Sequence, residues 1–283
     1  MFQTIFSIIS VPFGYIMRFI YEFVGSYGLA IIIFSFLAKL VTLPITLKQK
    51  RSMIQTQRIQ PKIQELQRKY GKDRQKLNEE MQKLYDNEGV SPMAGCGTML
   101  LSFPIMIGLY YVISQPLTYF MQLSQAQITE IADKLGHTMG SGYTAQIQLA
   151  GLMYDKFDLI RDVSDRILRV DFNFGPINLA ATPSFGNFNI MWIVPILSAL
   201  TALASAVLMQ RINKKNGLTP EGQTQGNVML TLLTPAMSLY FGFILPAGLG
   251  LYWITNNILT VVQDLALQGY IKKSIESSQP QKK

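Results

Sequence analysis

The sequence predicts an all-α polytopic membrane protein, with five membrane-spanning helices, a cytoplasmic αα-hairpin and an N-terminal interfacial amphipathic helix. Three observations carry that fold class. Hydrophobic residues make up 49% of the 283-residue chain and charged residues only 15%, against about 25% charged in a typical soluble domain. The charge is nearly absent from five long apolar runs and dense between them, the pattern of membrane spans joined by aqueous loops. The net charge of +8 sits at the ends of those runs, where it sets orientation. A nucleic-acid binder would instead spread it along a soluble face.

The runs cover residues 28–47, 94–115, 190–209, 228–245 and 248–267. Each is long enough to cross about 30 Å of hydrocarbon as a helix. Pro246 and Ala247 alone separate the last two, which makes them a hairpin with almost no loop. Residues 1–27 are also apolar but are interrupted by Pro12, Gly14, Arg18 and Glu22, while Ile16, Phe19, Ile20 and Phe23 share one helical side. That pattern predicts a helix lying in the membrane interface. No basic stretch precedes it and no small-residue cleavage site follows, so a cleaved signal peptide is not expected.

Residues 48–92 differ in kind, with eleven basic and six acidic side chains. Ile59, Ile63, Leu66 and Tyr70, then Leu77, Met81, Leu84 and Tyr85, recur at helical period. Gly71-Lys72-Asp73 between the two sets offers a glycine stop and an Asp N-cap. The reading is an αα-hairpin with facing apolar stripes, its first arm kinked or restarted at Pro61. The loop 210–227 and the tail 269–283 are also basic, whereas the long segment 116–189 carries five basic and seven acidic residues. With five spans, the three basic segments fall on one side, which the positive-inside rule makes the cytoplasm. Segment 116–189 and the N-terminus are then outside.

One cysteine, Cys96, and one histidine, His137, give no disulfide and no metal-ligand pattern, and Cys96 reads as a packing residue. The anomalous residue is Lys39. It lies in the first run about eleven residues, or ~16 Å, from the outer end, near the bilayer centre. A lysine there costs about 2.5–3.5 kcal/mol, and its stem is too short to reach the interface comfortably. No other run carries an acid at that depth, because Asp264 lies near the cytoplasmic end of the last one. Ser35, Thr42 and Thr46 share the helical face of Lys39, so the face reads as the polar lining of a cavity. Tyr252 and Trp253, near the start of the last run, suit either that lining or an interfacial aromatic belt.

An ordered set of short motifs resembles the YidC family of membrane protein insertases, from about Phe13 to Tyr270. They are Phe23-Val24-Gly25-Ser26-Tyr27-Gly28, Ile31-Ile32-Ile33, the charged centre at Lys39 followed by Pro44 and Thr46, and Gln60-Pro61-Lys62-Ile63-Gln64. Further on come Pro92, Gly95-Cys96, Phe103-Pro104-Ile105, Leu109-Tyr110-Tyr111, Leu245-Pro246-Ala247-Gly248-Leu249, Leu251-Tyr252-Trp253 and Asn256. This sequence departs from the family in having Lys39 where arginine is usual. It has Ser102 where glutamine is common and Gly97-Thr98 where Phe-Pro is common, and its 116–189 segment is longer than the family's short equivalent.

The resemblance implies a membrane protein insertase or chaperone. Its hydrophilic groove would contain Lys39, Ser35, Thr42, Thr46, Ser102, Tyr252 and Trp253, and would lower the barrier for apolar segments entering the bilayer. The alternative is a small-solute transporter or channel. An enzyme is not expected: the spans hold no Ser-His or paired-Asp arrangement, and the chain has no Walker pattern. No cofactor, metal or small-molecule substrate is implied. The implied partners are nascent membrane proteins and anionic lipids, with the ribosome and the Sec translocon as further candidates. The implied location is the bacterial plasma membrane, multi-pass, N-out and C-in. A cysteine placed at Gln75 should therefore be labelled only from the cytoplasmic side and one at Gly140 only from outside; labelling of position 75 in intact cells by an impermeant reagent reverses the orientation.

Overall fold

The computed structural model describes residues 2–89, 97–140, 142, 144–215, 224–267 and 269. Cys96 and Pro92, together with the tail beyond 269, lie outside them. The described chain is mostly helical; among the described residues the strands are a two-residue-per-strand ribbon, β1 (Asn173–Phe174) and β2 (Ile177–Asn178), which pair antiparallel and turn at Gly175. The α-helices are α1 (Phe2–Val24), α2 (Tyr27–Tyr70), α3 (Arg74–Glu88), α4 (Gly97–Ser114), α5 (Pro116–Tyr119), α6 (Gln125–Lys134), α7 (Ala145–Met153), α8 (Ile193–Lys215), α9 (Thr224–Gly242) and α10 (Ala247–Ala266).

Three helical stretches among the described residues are long and apolar enough to cross a membrane: Ser7–Val24, Tyr27–Ser52 and Ile190–Ile212. The second and third contain the expected spans 28–47 and 190–209. The first falls in the segment expected to lie in the interface, so by length and composition that segment also qualifies. The runs 94–115, 228–245 and 248–267 overlap α4, α9 and α10, of 18, 19 and 20 residues. At 1.5 Å per residue these are about 27–30 Å long, the thickness of the hydrocarbon core. α10 is less apolar than those three stretches because Asn256, Asn257, Thr260, Gln263 and Asp264 interrupt its Leu, Ile and Val residues.

α2 is one helix of 44 residues, about 66 Å long at the standard rise. It passes through Pro61, which therefore starts no new helix. Pro61 is exposed, so water can compensate for the donor it lacks. α3 folds back along the far half of α2. Ile59 and Ile63, at 3% and 4% exposure, pack against Met81, Leu84 and Tyr85. Asp73 accepts from the Lys76 amide at 3.1 Å to cap α3. Gly71 ends α2 in a right-handed conformation, while the left-handed glycine stop falls at Gly89, φ +61°. Lys62 and Glu88 form an ion pair across the open end of the pair.

The segment 116–189 folds. Ser124 and Gln127 form a capping box that starts α6. Ile128, Ile131, Ile147, Leu149, Ile160, Val170 and Phe172 are buried in a core that continues into α2 and α4 through Tyr27, Leu109 and Ile113. The Tyr27 ring meets Phe120 and Phe172 edge-on, with centroids 5.6 and 4.8 Å apart. The same segment holds the start of α10. A helix leaves its first amides without internal partners, and here Ala247 N–H donates to the Ala181 carbonyl and Gly248 N–H to the Leu179 carbonyl, both at 2.9 Å.

α1 turns into α2 at Gly25, whose φ of +68° favours glycine. It packs along α2 and α4: Phe13 meets Phe34 edge-on at 5.1 Å, and Gly108 of α4 lies against Ile9 and Phe13. Arg18 donates to the Arg166 carbonyl and pairs with Glu22. Gly14 lies so close to α5 that an added Cβ would sit 1.8 Å from the Tyr119 carbonyl oxygen. Because that obstacle is backbone, Gly14→Leu should lower stability by about 1–3 kcal/mol, the usual cost of overpacking. The check is a melting temperature in detergent several degrees below wild type, with Gly140→Ala, which has nothing within 4 Å, as the unchanged control.

Candidate functional site

α2 and α10 pack against one another and each carries a polar stripe at helical spacing. On α2 it runs Ser35, Lys39, Thr42, Thr46 and then Gln49 and Lys50; on α10 it runs Tyr252, Asn256, Thr260 and then Gln263 and Asp264. The steps of three and four residues keep each stripe on one face. With Ala38 and with Ile105 of α4, these side chains enclose a cavity of about 120 Å³. That is room for several water molecules between polar walls.

Lys39 stands in the middle of the apolar stretch Tyr27–Ser52, twelve residues after its first and thirteen before its last. Its Nζ donates to Thr260 Oγ1 at 2.8 Å, and Thr260 Oγ1 donates in turn to the Asn256 carbonyl at 2.6 Å. The hydrogen-bond acceptor is therefore a neutral hydroxyl, and the ammonium keeps its charge uncancelled at that contact. Ser35, Thr42 and Thr46 turn their hydroxyl protons back to the carbonyls of Ile31, Ala38 and Thr42, at 2.7, 2.8 and 3.0 Å. Such back-bonding satisfies each hydroxyl proton within its own helix and leaves oxygen lone pairs to accept from the cavity.

Toward the end of α10 the cavity is lined by charge. Asp264, 3% exposed, forms an ion pair with Lys50, and their side chains are 4% and 14% exposed. Beyond Ser35, at the other end, packing is apolar: Ile31, Phe34 and Leu249 are buried, and Gly248 comes close to Ile113 and Ile31. The polar space thus stops near Ser35 and Tyr252 and extends toward Lys50 and Asp264. The other side of α2 presents Leu37, Leu40, Val41 and Ile45 as exposed apolar groups, a surface suited to acyl chains.

Of the residues singled out from the sequence, Ser35, Lys39, Thr42, Thr46 and Tyr252 come together around this cavity. Trp253 does not line it: its ring lies 6.2 Å from Phe241, because neighbouring positions on a helix point about 100° apart. The backbone of Ser102 belongs to α4, and its side chain lies outside the described residues. The sequence reading left out Asn256, Thr260, Gln263, Gln49 and Lys50, and placed Asp264 only near a span end. The four-residue spacing Tyr252-Asn256-Thr260-Asp264 was the available signal for the α10 wall.

The fold and the groove define an all-α integral membrane protein with a cation set in the polar seam between two of its helices. The chain belongs to the 60Kd inner membrane protein family, whose model matches residues 19–274. It is similar to proteins named membrane protein insertase YidC. One from Cellvibrio japonicus is 31% identical over 94% of this chain and 37% of its own length. YidC 1 of Listeria monocytogenes is 30% identical over 90% of this chain and 68% of its own length. The protein from Caldanaerobacter subterraneus is 29% identical over 90% of this chain and 91% of its own length. The chain thus spans little more than a third of some curated relatives, 37% or 38% of them, and 91% of another.

Thiols react as thiolates, which form in water and not in lipid. Thr42→Cys in a Cys96→Ser background should therefore be modified by a water-soluble maleimide faster than Val41→Cys. Val41 is 76% exposed, so mere surface exposure demands the opposite order, and a faster reaction at position 41 rules out a wet cavity beside Lys39.

Proposed function

We propose that this chain is a membrane protein insertase acting through the groove between α2 and α10. The observation that carries the proposal is Lys39. It is a lysine at the centre of an apolar helix, in a cavity of polar walls, hydrogen-bonded to a neutral hydroxyl. A charged side chain at mid-bilayer costs about 2.5–3.5 kcal/mol by insertion scales. An acidic or polar segment of an incoming chain that enters the groove exchanges that lipid environment for water, hydroxyls and an ammonium. Its apolar neighbour then moves sideways into lipid. Hydrophobic partitioning drives the step, and the groove lowers its barrier without bond chemistry.

The topology proposed with this reading has five spans, N-out and C-in, in the bacterial plasma membrane, with residues 1–27 at the outer interface. The basic hairpin and Lys50 then face the cytoplasm, where clients arrive. The groove is closed on the outer side by the apolar packing beyond Ser35. The excess of basic residues in 48–92 suits anionic lipid headgroups. Nascent membrane proteins are the clients; the ribosome and the Sec translocon are candidate partners on the hairpin side.

The full chain in proteoliposomes should insert a short single-span client. Lys39→Arg should keep that activity, since it keeps the charge. Lys39→Glu should slow a client with an acidic translocated segment by roughly tenfold more than a neutral one, as a pair of charges in a partly dehydrated site interacts by a few kcal/mol at an effective dielectric near 20. Solute flux without client insertion would point to a transporter or channel and overturn the proposal.

A further inference from the structure

The groove holds a second charged device besides Lys39. Among its lining residues the charged ones are Lys39, Lys50 and Asp264, so two ammoniums and one carboxylate leave a single net positive charge. Their order matters. Lys39 is bonded to Thr260, Asp264 follows Thr260 by one helical turn on the same stripe, and Lys50 closes on Asp264. The carboxylate therefore sits between the Lys39–Thr260 contact and Lys50 along the groove.

A carboxylate 3% exposed in an apolar helix needs a cation, because an unpaired buried charge is strongly destabilising. Two cations are within reach of this one. Lys50 takes it directly, which leaves Lys39 on a neutral hydroxyl. Without Lys50, the other cation among the described lining residues is Lys39, which is bonded to Thr260, one helical turn or about 6 Å of axial rise before Asp264. The carboxylate would then cancel the charge that an acidic client uses.

We propose that Lys50 and Asp264 form a charge-setting pair that determines the client specificity of the groove. Lys50 holds Asp264 away from Lys39, so that the groove offers one uncancelled positive charge to an acidic segment. Asp264 in turn neutralises Lys50, so that the groove does not carry two. This inference rests on the insertase reading of the groove and adds to it residues that set selectivity without needing to touch the client.

The test is the ratio of acidic-client to neutral-client insertion by the full chain in proteoliposomes. The two clients are single-span proteins differing only in two translocated residues, Asp or Asn. Lys50→Met should lower the ratio by about threefold or more, and Asp264→Asn should raise it by a similar factor, as expected for one charge added or removed at this range and dielectric. The double variant Lys50→Met with Asp264→Asn should bring the ratio back to the wild-type value. Replacing both partners of a buried pair by uncharged groups is commonly tolerated.

If the pair only supports the fold, the single variants lose both clients in parallel and the ratio does not move, which overturns the inference. A double variant whose ratio stays at that of Lys50→Met also overturns it. Should Lys50→Met fail to fold, Asp264→Asn decides: its ratio must exceed those of wild type and of the double variant. A wild-type chain that inserts neither client overturns the insertase reading and this inference with it, whereas insertion with an invariant ratio overturns only the pair.

Discussion

A lysine at the middle of an apolar helix must be satisfied from within the protein, because lipid offers it nothing. Much of the structure around Lys39 follows from that constraint. α10 gives up apolarity to present Thr260 and Asn256, and for that reason it reads poorly as a membrane helix. The hydroxyls of Ser35, Thr42 and Thr46 bond back to their own helix, which makes a polar wall without asking for partners across the cavity. Even the buried carboxylate of Asp264 becomes tolerable because Lys50 reaches it from the facing stripe of α2. The alternative, Lys39 facing acyl chains, carries the full mid-bilayer cost of a charge.

The groove and the basic hairpin are parts of one element. α2 runs unbroken from Tyr27 to Tyr70, so the helix that carries Lys39 and Lys50 continues into the arm that packs on α3. Any molecule held on that arm has a set register to the groove. The continuation is physically ordinary: the apolar half is stabilised by packing in the bundle, and the polar half by the small core of Ile59, Ile63, Met81, Leu84 and Tyr85. In proteins most helical stability comes from such packing of one face rather than from propensity.

At the opposite end, the segment 116–189 determines how α2, α4 and α10 meet. Its aromatic residues Phe120 and Phe172 enclose Tyr27, and its carbonyls at Leu179 and Ala181 receive the first amides of α10. The Pro246-Ala247 turn between α9 and α10 leaves those amides without a cap of their own, since proline supplies no side-chain acceptor. Segment 116–189 supplies the acceptors. Gly248 allows this approach: a Cβ there would come within 3.3 Å of the Leu179 oxygen.

The sequence by itself determined the class of the protein. Hydropathy and charge are properties of contiguous residues, so the apolar runs, the basic stretches between them and the intruding Lys39 were legible without a structure. So was the polar face of α2, because Ser35, Lys39, Thr42 and Thr46 are related by helical period alone. The tertiary structure decided what that face meets. Lys39 and Thr260 are 221 positions apart, and no local pattern reports which of α10's polar residues turn toward α2. The same distance hid the pairing of Lys50 with Asp264, each of which reads alone as a charge at a span end. It also led Trp253 to be grouped with Tyr252, although adjacent helical positions diverge by about 100° and only Tyr252 faces the cavity. In the segment 116–189 the deciding contacts are again long-range: a weakly patterned run of residues becomes ordered because its scattered Ile, Leu and Phe side chains complete a core begun by α2 and α4. Periodicity determines a helix's own faces; which face meets which is settled by burial and pairing between segments distant in the chain.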